Sequence, residues 1–232
     1  MQAKKRAGRK KPPAAPPPGD LSPRARILYA AFESFMEVGY AKTSMLAIAT
    51  RARVSKRDLY ANFADKGAIL AACIEGRARD MRAPLELPPP QTEAALAATL
   101  ERFGKSSLGM GTLATSVAAF RLAIAEPDTD AAAVLDRSAR VSNRAVLDEF
   151  FASAQKNGLL GPGDPRVMAG RFLTLLWGDV MMRLLLRIAP APDEREIERR
   201  AREATRILLA LHGPGAGASV AAPDGQPPRT PR

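Results

Sequence analysis

Between Ser22 and Gly213, apolar residues recur three and four positions apart. Most of these runs open on Ser, Thr or Asp and close on Gly or Pro. That spacing is the period of a helix with one face turned to a core, and the opening residues are those that satisfy the free amides of a helix start. No sustained alternation and no Asn-Gly turn marks a strand or hairpin. The expected fold class is therefore all-α, and the punctuation predicts nine helices.

The first helix opens at Ser22-Pro23, carries Ile27, Leu28, Ala31, Phe32, Phe35 and Met36 on its apolar face, and ends at Gly39. The second starts after Thr43, read as its cap, and carries Leu46, Ile48 and Ala49. The third starts at Ser55, with Asp58 completing an S-x-x-D capping arrangement. Asp65 caps a fourth that reaches about Met81, and Pro84 to Pro90 is a stiff break. Thr92 opens a fifth, to about Ser107, before Gly109 and Gly111 interrupt the pattern. The rest are expected at about 112–125, 129–156, 165–188 (opened by Asp164-Pro165) and 193–213 (opened by Asp193 with Glu196).

Charge is segregated along this helical chain. Residues 1–20 carry six basic residues and one acid, and residues 21–82 carry 11 and six. Residues 83–212 carry 16 of each, so nearly all of the +11 excess lies in the first 82 residues. A basic N-terminal third on a neutral remainder implies a polyanionic partner for that third: nucleic acid, or less naturally an anionic membrane surface. The segments at 1–21 and 213–232, rich in Pro, Ala and Gly, are expected to be disordered tails. Two domains are expected between them, 22–82 and 83–212.

Other classes are poorly served. One cysteine, Cys73, makes no internal disulfide, and with one histidine, His212, no zinc site is expected. His212 lies at the edge of the C-terminal tail, a poor place to preorganise a catalytic triad. Gly109-Met110-Gly111 lacks the preceding strand and third glycine of a dinucleotide fingerprint. No enzyme activity, cofactor or metal is expected. No apolar run approaches the roughly 20 residues that span a bilayer, and a soluble, cytoplasmic chain is expected.

Helices two and three are short and joined by a turn around Arg53-Val54, the spacing of a helix-turn-helix at about 45–64. Leu59 and Phe63, four apart, share the core face of the third helix. Its other face then presents Lys56, Arg57, Tyr60, Ala61 and Asn62, groups suited to a DNA groove. The stretch RILYAAFESFMEVGYAKTSMLAIATRARVSKRDLYANFADKGAIL resembles the N-terminal domain of TetR/AcrR-family transcriptional regulators. Gly39-Tyr40, Thr43-Ser44-Met45, Ile48-Ala49, Val54-Ser55-Lys56, Leu59-Tyr60, Phe63 and Lys66 carry the resemblance. It implies that Thr43 caps the second helix and contacts phosphate beside Ser44, that Lys56 and Tyr60 contact DNA, and that Lys66 reaches the backbone. Arg53 replaces a common Gly, which implies a positive φ. Asn62 replaces a common His. Arg57 is the expected guanine contact, and Asp58 a capping residue. Lys4, Lys5, Arg6, Arg9, Lys10 and Lys11 are expected to add nonspecific affinity rather than to read the minor groove.

The remainder resembles, more loosely, the AefR-like type of TetR C-terminal domain, through Phe103-Gly104, Phe120 to Glu126 and Leu175 to Asp179. That resemblance implies a pocket for a small apolar effector, with Phe103, Met110, Phe120, Leu147, Phe151 and Trp177 as candidate lining. It also implies a homodimer made by the last two long helices, with Leu176, Val180, Leu184, Ile197, Ala204, Leu208 and Leu211 at the interface. The resulting expectation is a homodimeric repressor on a palindromic operator in double-stranded DNA, released by a ligand, with no membrane partner. An activator or DNA-organising protein of the same fold, and a helical ligand carrier, are the alternatives.

Overall fold

The computed structural model describes residues 21–215 of the 232. The expected basic arm and nearly all of the expected C-terminal tail lie outside the described residues. Among these residues the structure is all-α, without a strand: α1 (Pro23–Val38), α2 (Met45–Ala52), α3 (Lys56–Asn62), α4 (Lys66–Arg82), α5 (Glu93–Gly111), α6 (Ala114–Ala125), α7 (Ala131–Leu135), α8 (Ser142–Lys156), α9 (Pro165–Trp177), α10 (Val180–Leu185) and α11 (Glu194–His212).

Where this differs from nine helices, the cause is local. α5 continues through Gly109 to Gly111, because one interior glycine costs only about 1 kcal/mol of helix propensity and the helix is packed along its length. The 129–156 run is continuous but not uniform: a π-helical turn, Asp136–Val141, joins α7 to α8. The 165–188 run breaks at Gly178, whose φ of 46° and ψ of −124° favour glycine.

The capping residues act mostly as their chemistry predicts. Ser22, Ser55, Thr92, Asp164 and Asp193 each accept a backbone N–H in the first turn of their helix. Helix α2 is the exception. Its cap is Ser44, which accepts from the Ala47 amide at 3.1 Å. Thr43 is buried, and its hydroxyl donates to the Gly39 carbonyl at 2.7 Å. Thr43 therefore fastens the α1–α2 corner instead of capping the helix.

Packing divides the chain into two compact units, one ending at Ile69 and the other beginning at Leu70. The division falls inside α4 and not at the Pro84–Pro90 stretch that suggested the 82/83 boundary. In the first unit, Ile27, Ala31 and Phe35 of α1, Ile48 of α2 and Leu59 of α3 are fully buried. Arg51 of α2 bridges to Glu33 at 2.9 Å and Glu37 at 2.5 Å on α1, and this hydrogen bonding holds the Glu37 carboxyl below the usual carboxylate range.

The second unit is built on α5, α8, α9 and α11. Leu96, Leu100, Phe103 and Leu108 of α5 meet Leu147 and Phe151, Met168, Phe172 and Leu176, and Ala201, Ala204 and Leu208 in one core. Phe172 lies 6.1 Å from Phe103 and 6.4 Å from Phe151, ring centre to ring centre. Helices α5 and α11 approach so closely that a Cβ on Gly104 would lie 3.0 Å from the Ala201 Cβ and 3.2 Å from Leu176 Cδ1.

This packing corrects the expected dimer residues. Leu176, Ala204 and Leu208 are fully or almost fully buried within their own chain, and Ile197 packs on the same core. Val180 and Leu184 form a satellite cluster with Val117 of α6. Only Leu211 of that set is well exposed, at 54%. A stripe at spacings of three and four serves a neighbouring helix of the same chain as well as one of another. Glu196 pairs with Arg200 at 2.7 Å within α11, and Glu198 reaches across to Lys105 of α5 at 3.0 Å.

The α5–α11 approach generates a prediction. Gly104→Val should lower stability by about 1–3 kcal/mol through overpacking, read as a reduced urea midpoint in circular dichroism. A stability equal to the parent chain would mean that α11 can move away freely.

Candidate DNA interface and ligand cavity

In the first unit, α2 ends on Arg53 in the left-handed region, φ 54° and ψ 47°. The Val54 amide donates back to the Ala49 carbonyl at 3.1 Å. The turn thus makes the positive φ implied for Arg53 and uses a non-glycine residue for it, at a modest cost. Ser55 then starts α3: its Oγ accepts from the Asp58 amide at 3.0 Å and donates to the Asp58 carboxylate at 2.6 Å. Asp58 is therefore occupied in capping.

Leu59 and Phe63 turn inward, and Lys56, Arg57, Tyr60, Ala61 and Asn62 are exposed. Tyr60 is 47% exposed, and the Lys56 ammonium lies 5.9 Å from its ring centre. Two of the expected DNA groups are engaged internally. Asn62 donates its amide to the Asp58 carbonyl at 2.8 Å. Lys66 donates to the Tyr40 carbonyl at 2.6 Å and the Ala41 carbonyl at 3.2 Å, with its ammonium 4.4 Å from the Tyr40 ring centre. Lys66 thereby ties the start of α4 to the α1–α2 corner. Ser44 and Thr43, with Lys42 and Leu46, line a groove along α1 and α2. The chemistry left outward on α3 is two cations and a phenol.

The second unit holds a half-open cavity of about 300 Å³. Ile74, Arg77, Ala78 and Met81 line it from α4, and Phe103, Ser107 and Gly111 from α5. Ala119 and Phe120 come from α6, and Ala139 and Arg140 from the π turn. Asn143 and Arg144 of α8 and Leu173 and Trp177 of α9 complete most of the wall. Of the six expected lining residues, Phe103, Phe120 and Trp177 are there. Leu147 and Phe151 are fully buried in the core instead, and Met110 is not on the wall.

The walls are mostly apolar, and their few polar groups are specific. Trp177 Nε1 donates to Ser107 Oγ at 3.3 Å, which fixes the indole against α5. Gly111 makes room for that indole: a Cβ there would lie 2.5 Å from Trp177 Cη2. Arg144 pairs with Asp148 at 2.8 Å, and Arg140 pairs with Asp136. Asn143 donates only to the Met81 sulfur, at 3.3 Å, and its buried Oδ1 has no hydrogen-bond partner. Burial pushes the Arg77 guanidinium below its usual range. Periodicity missed Arg77 and Asn143. Ile74, Arg77, Ala78 and Met81 do share one helical face, so a cation within the apolar stripe of α4 was a readable signal; nothing in the sequence singled out Asn143.

A helix-turn-helix with cations on its outer face, in a chain whose helical second unit holds an apolar cavity, is an arrangement suited to a DNA-binding regulator. Comparison with known proteins agrees. Residues 27–73 match the model of bacterial regulatory proteins of the tetR family, and residues 98–214 match the C-terminal domain of AefR-like transcriptional repressors. The chain belongs to the TetR family of DNA-binding transcriptional regulators. Among solved structures it is similar to the flavonoid-responsive regulator FrrA, with 28% identity and a TM-score of 0.67 over 84% of this chain and 98% of that one. A TetR transcriptional regulator from Agrobacterium tumefaciens is 26% identical, with a TM-score of 0.68 over 84% and 97%. The SmeT–triclosan complex shares the fold at 18% identity, with a TM-score of 0.59 over 91% and 100%. No curated protein sequence matches the chain. The family and its structural neighbours are regulators and not enzymes. No single helix among the described residues is long and apolar enough to cross a membrane.

The internal role of Lys66 can be checked directly. Lys66→Met should cost about 1.5–3 kcal/mol, as loss of charged hydrogen bonds to backbone carbonyls does, read by urea denaturation without DNA. Unchanged stability would return Lys66 to the set of groups available to phosphate.

Proposed function

We propose that the chain is a homodimeric repressor that holds a palindromic operator and is released by a small-molecule ligand. One observation carries the reading: α4, which follows the helix-turn-helix directly, supplies Ile74, Arg77, Ala78 and Met81 to the wall of the cavity. A ligand there contacts the helix that leads out of the DNA-binding unit. If it binds one position of α4 better than another, it shifts operator affinity by that difference. FrrA is described as flavonoid-responsive, and SmeT is described in complex with triclosan. Both descriptions support a small-molecule effector for this chain.

In this reading Lys56, Arg57 and Tyr60 meet the DNA, with Ser44 and Thr43 at the α2 edge. Arg57 reads a base and Lys56 a phosphate. One seven-residue recognition helix covers few base pairs, so specificity calls for two copies on a twofold axis. With the expected seam buried inside the chain, the dimer face moves to exposed apolar groups: Val167 and Leu175 of α9, Met182 of α10, Leu186 just after it, and Leu211 of α11.

Selection of bound duplexes from a randomised library at about 150 mM salt, where nonspecific phosphate binding is weak, should recover a palindrome. Recovery without a shared sequence would overturn the reading. On the recovered site, Arg57→Ala should relax preference at one position in each half-site by about 1–3 kcal/mol. Lys56→Ala should weaken all sequences alike and flatten the salt dependence by about one unit of slope.

The dimer face has its own test. The double variant Leu175→Glu and Met182→Glu should fold, since both sites are exposed, but sediment as a monomer and lose the operator. A dimer in sedimentation equilibrium would place the interface elsewhere.

A further inference from the structure

The turn between α2 and α3 holds a residue whose backbone is strained and whose side chain the fold leaves unused. Arg53 ends α2 in the left-handed region, at φ 54° and ψ 47°, where a side chain crowds its own backbone and only glycine is at ease. The backbone of Arg53 closes α2, because its N–H donates to the Ala49 and Thr50 carbonyls. Its side chain is exposed and makes no hydrogen bond, ion pair or ring contact among the described residues. The four carboxylates among the described residues of the first unit are all engaged elsewhere. Arg51 holds Glu33 and Glu37, Ser55 holds Asp58, and Asp65 accepts the Ala68 amide. Arg53, Lys56 and Arg57 therefore form a run of exposed cations with no acid paired to any of them.

A left-handed arginine without an internal bond costs stability and returns none to the fold. Residues held in such conformations cluster where a partner is bound, and the position of this one indicates which partner. In a helix-turn-helix the first helix crosses the DNA backbone, and the N-terminal residues of the second enter the major groove. Arg53 stands between the two, at the end of α2 and three residues before Lys56 opens α3. That is the edge of the groove, where phosphates and not bases are within reach. We propose that Arg53 is a further DNA-contact residue, its guanidinium taking a backbone phosphate at the groove edge through paired N–H donors. The contact adds affinity and fixes the entry of α3 without reading sequence. The inference rests on the operator-binding reading above and adds an anchor to it.

The test uses the full chain, the duplex recovered by selection and an unrelated duplex of equal length. Arg53→Gly removes the charge and relieves the backbone, so two readouts should move in opposite directions. The urea midpoint without DNA should rise. Affinity should fall about fivefold or more for both duplexes, the selected one read at about 150 mM salt and the unrelated one at about 50 mM. The salt dependence should flatten by about one unit of slope per bound chain. Arg53→Asn, which also tolerates the left-handed region, should weaken DNA binding alike, and Arg53→Lys should keep most of it. Unchanged affinity and slope in Arg53→Gly overturn the assignment. So does a lowered urea midpoint in both uncharged variants, which would give the guanidinium a role at the C-terminal dipole of α2. So does a loss confined to the selected duplex, which would make Arg53 a base reader. Failure of the operator reading looks different: selection returns no shared palindrome, and Arg53→Gly still weakens the unrelated duplex.

Discussion

The close approach of α5 to α11 is the contact on which the second unit depends. Gly104 has no side chain, and so Ala201 can sit against the α5 backbone. From there Ala204 and Leu208 reach the core that Leu96, Leu100 and Leu108 share with α8 and α9. The same helix has a second duty on an adjacent face. Phe103, Ser107 and Gly111, four apart, run down the cavity wall. Any larger residue at Gly104 would force α5 and α11 apart, and a displacement of α5 would carry this wall with it, because one helix carries both faces. Glycine at 111 has the matching role, leaving the volume that the Trp177 ring occupies.

The cavity wall is less regular than the core. The core is lined by uniform helices, whereas the wall includes the π turn Asp136–Val141, which supplies Ala139 and Arg140. Single-turn π segments are rare and recur at functional sites. Arg77 and Asn143 lie on the same wall, one desolvated and the other with an unpartnered buried oxygen. A wall built only for packing would replace both by aliphatic residues at a gain in stability.

Much of this was legible in the chain. Cap chemistry located most helix starts, because an amide without a partner at a helix terminus is costly and few side chains can satisfy it. It erred at Thr43, where two adjacent hydroxyls competed and Ser44 took the amide. The helix-turn-helix was readable because its spacings are short and local, and the left-handed Arg53 followed from the resemblance, in which glycine is common at that position. The dimer seam and half of the pocket were not readable. Leu176, Ala204 and Leu208 have the pattern of an interface stripe, and Leu147 and Phe151 have that of a pocket wall. Periodicity says that a face is covered without saying by what. Only the tertiary packing separates a core leucine from an interfacial one.

The first unit shows how internal bonds select the surface that remains for recognition. Four polar residues on or next to α3 are committed: Ser55 and Asp58 to each other, Asn62 to the Asp58 carbonyl, and Lys66 to the Tyr40 and Ala41 carbonyls. Each of these bonds stiffens the element and withdraws one group from a partner. The outward face is thereby reduced to Lys56, Arg57 and Tyr60. A short helix with two cations and no competing acid, since Asp58 is tied to its cap, presents a focused positive edge. Such an edge attracts a polyanion over about a Debye length and discriminates only through the one or two side chains that reach the bases. The charge excess that supplies such attraction is concentrated in the first 82 residues, whereas residues 83–212 carry acids and bases in equal number.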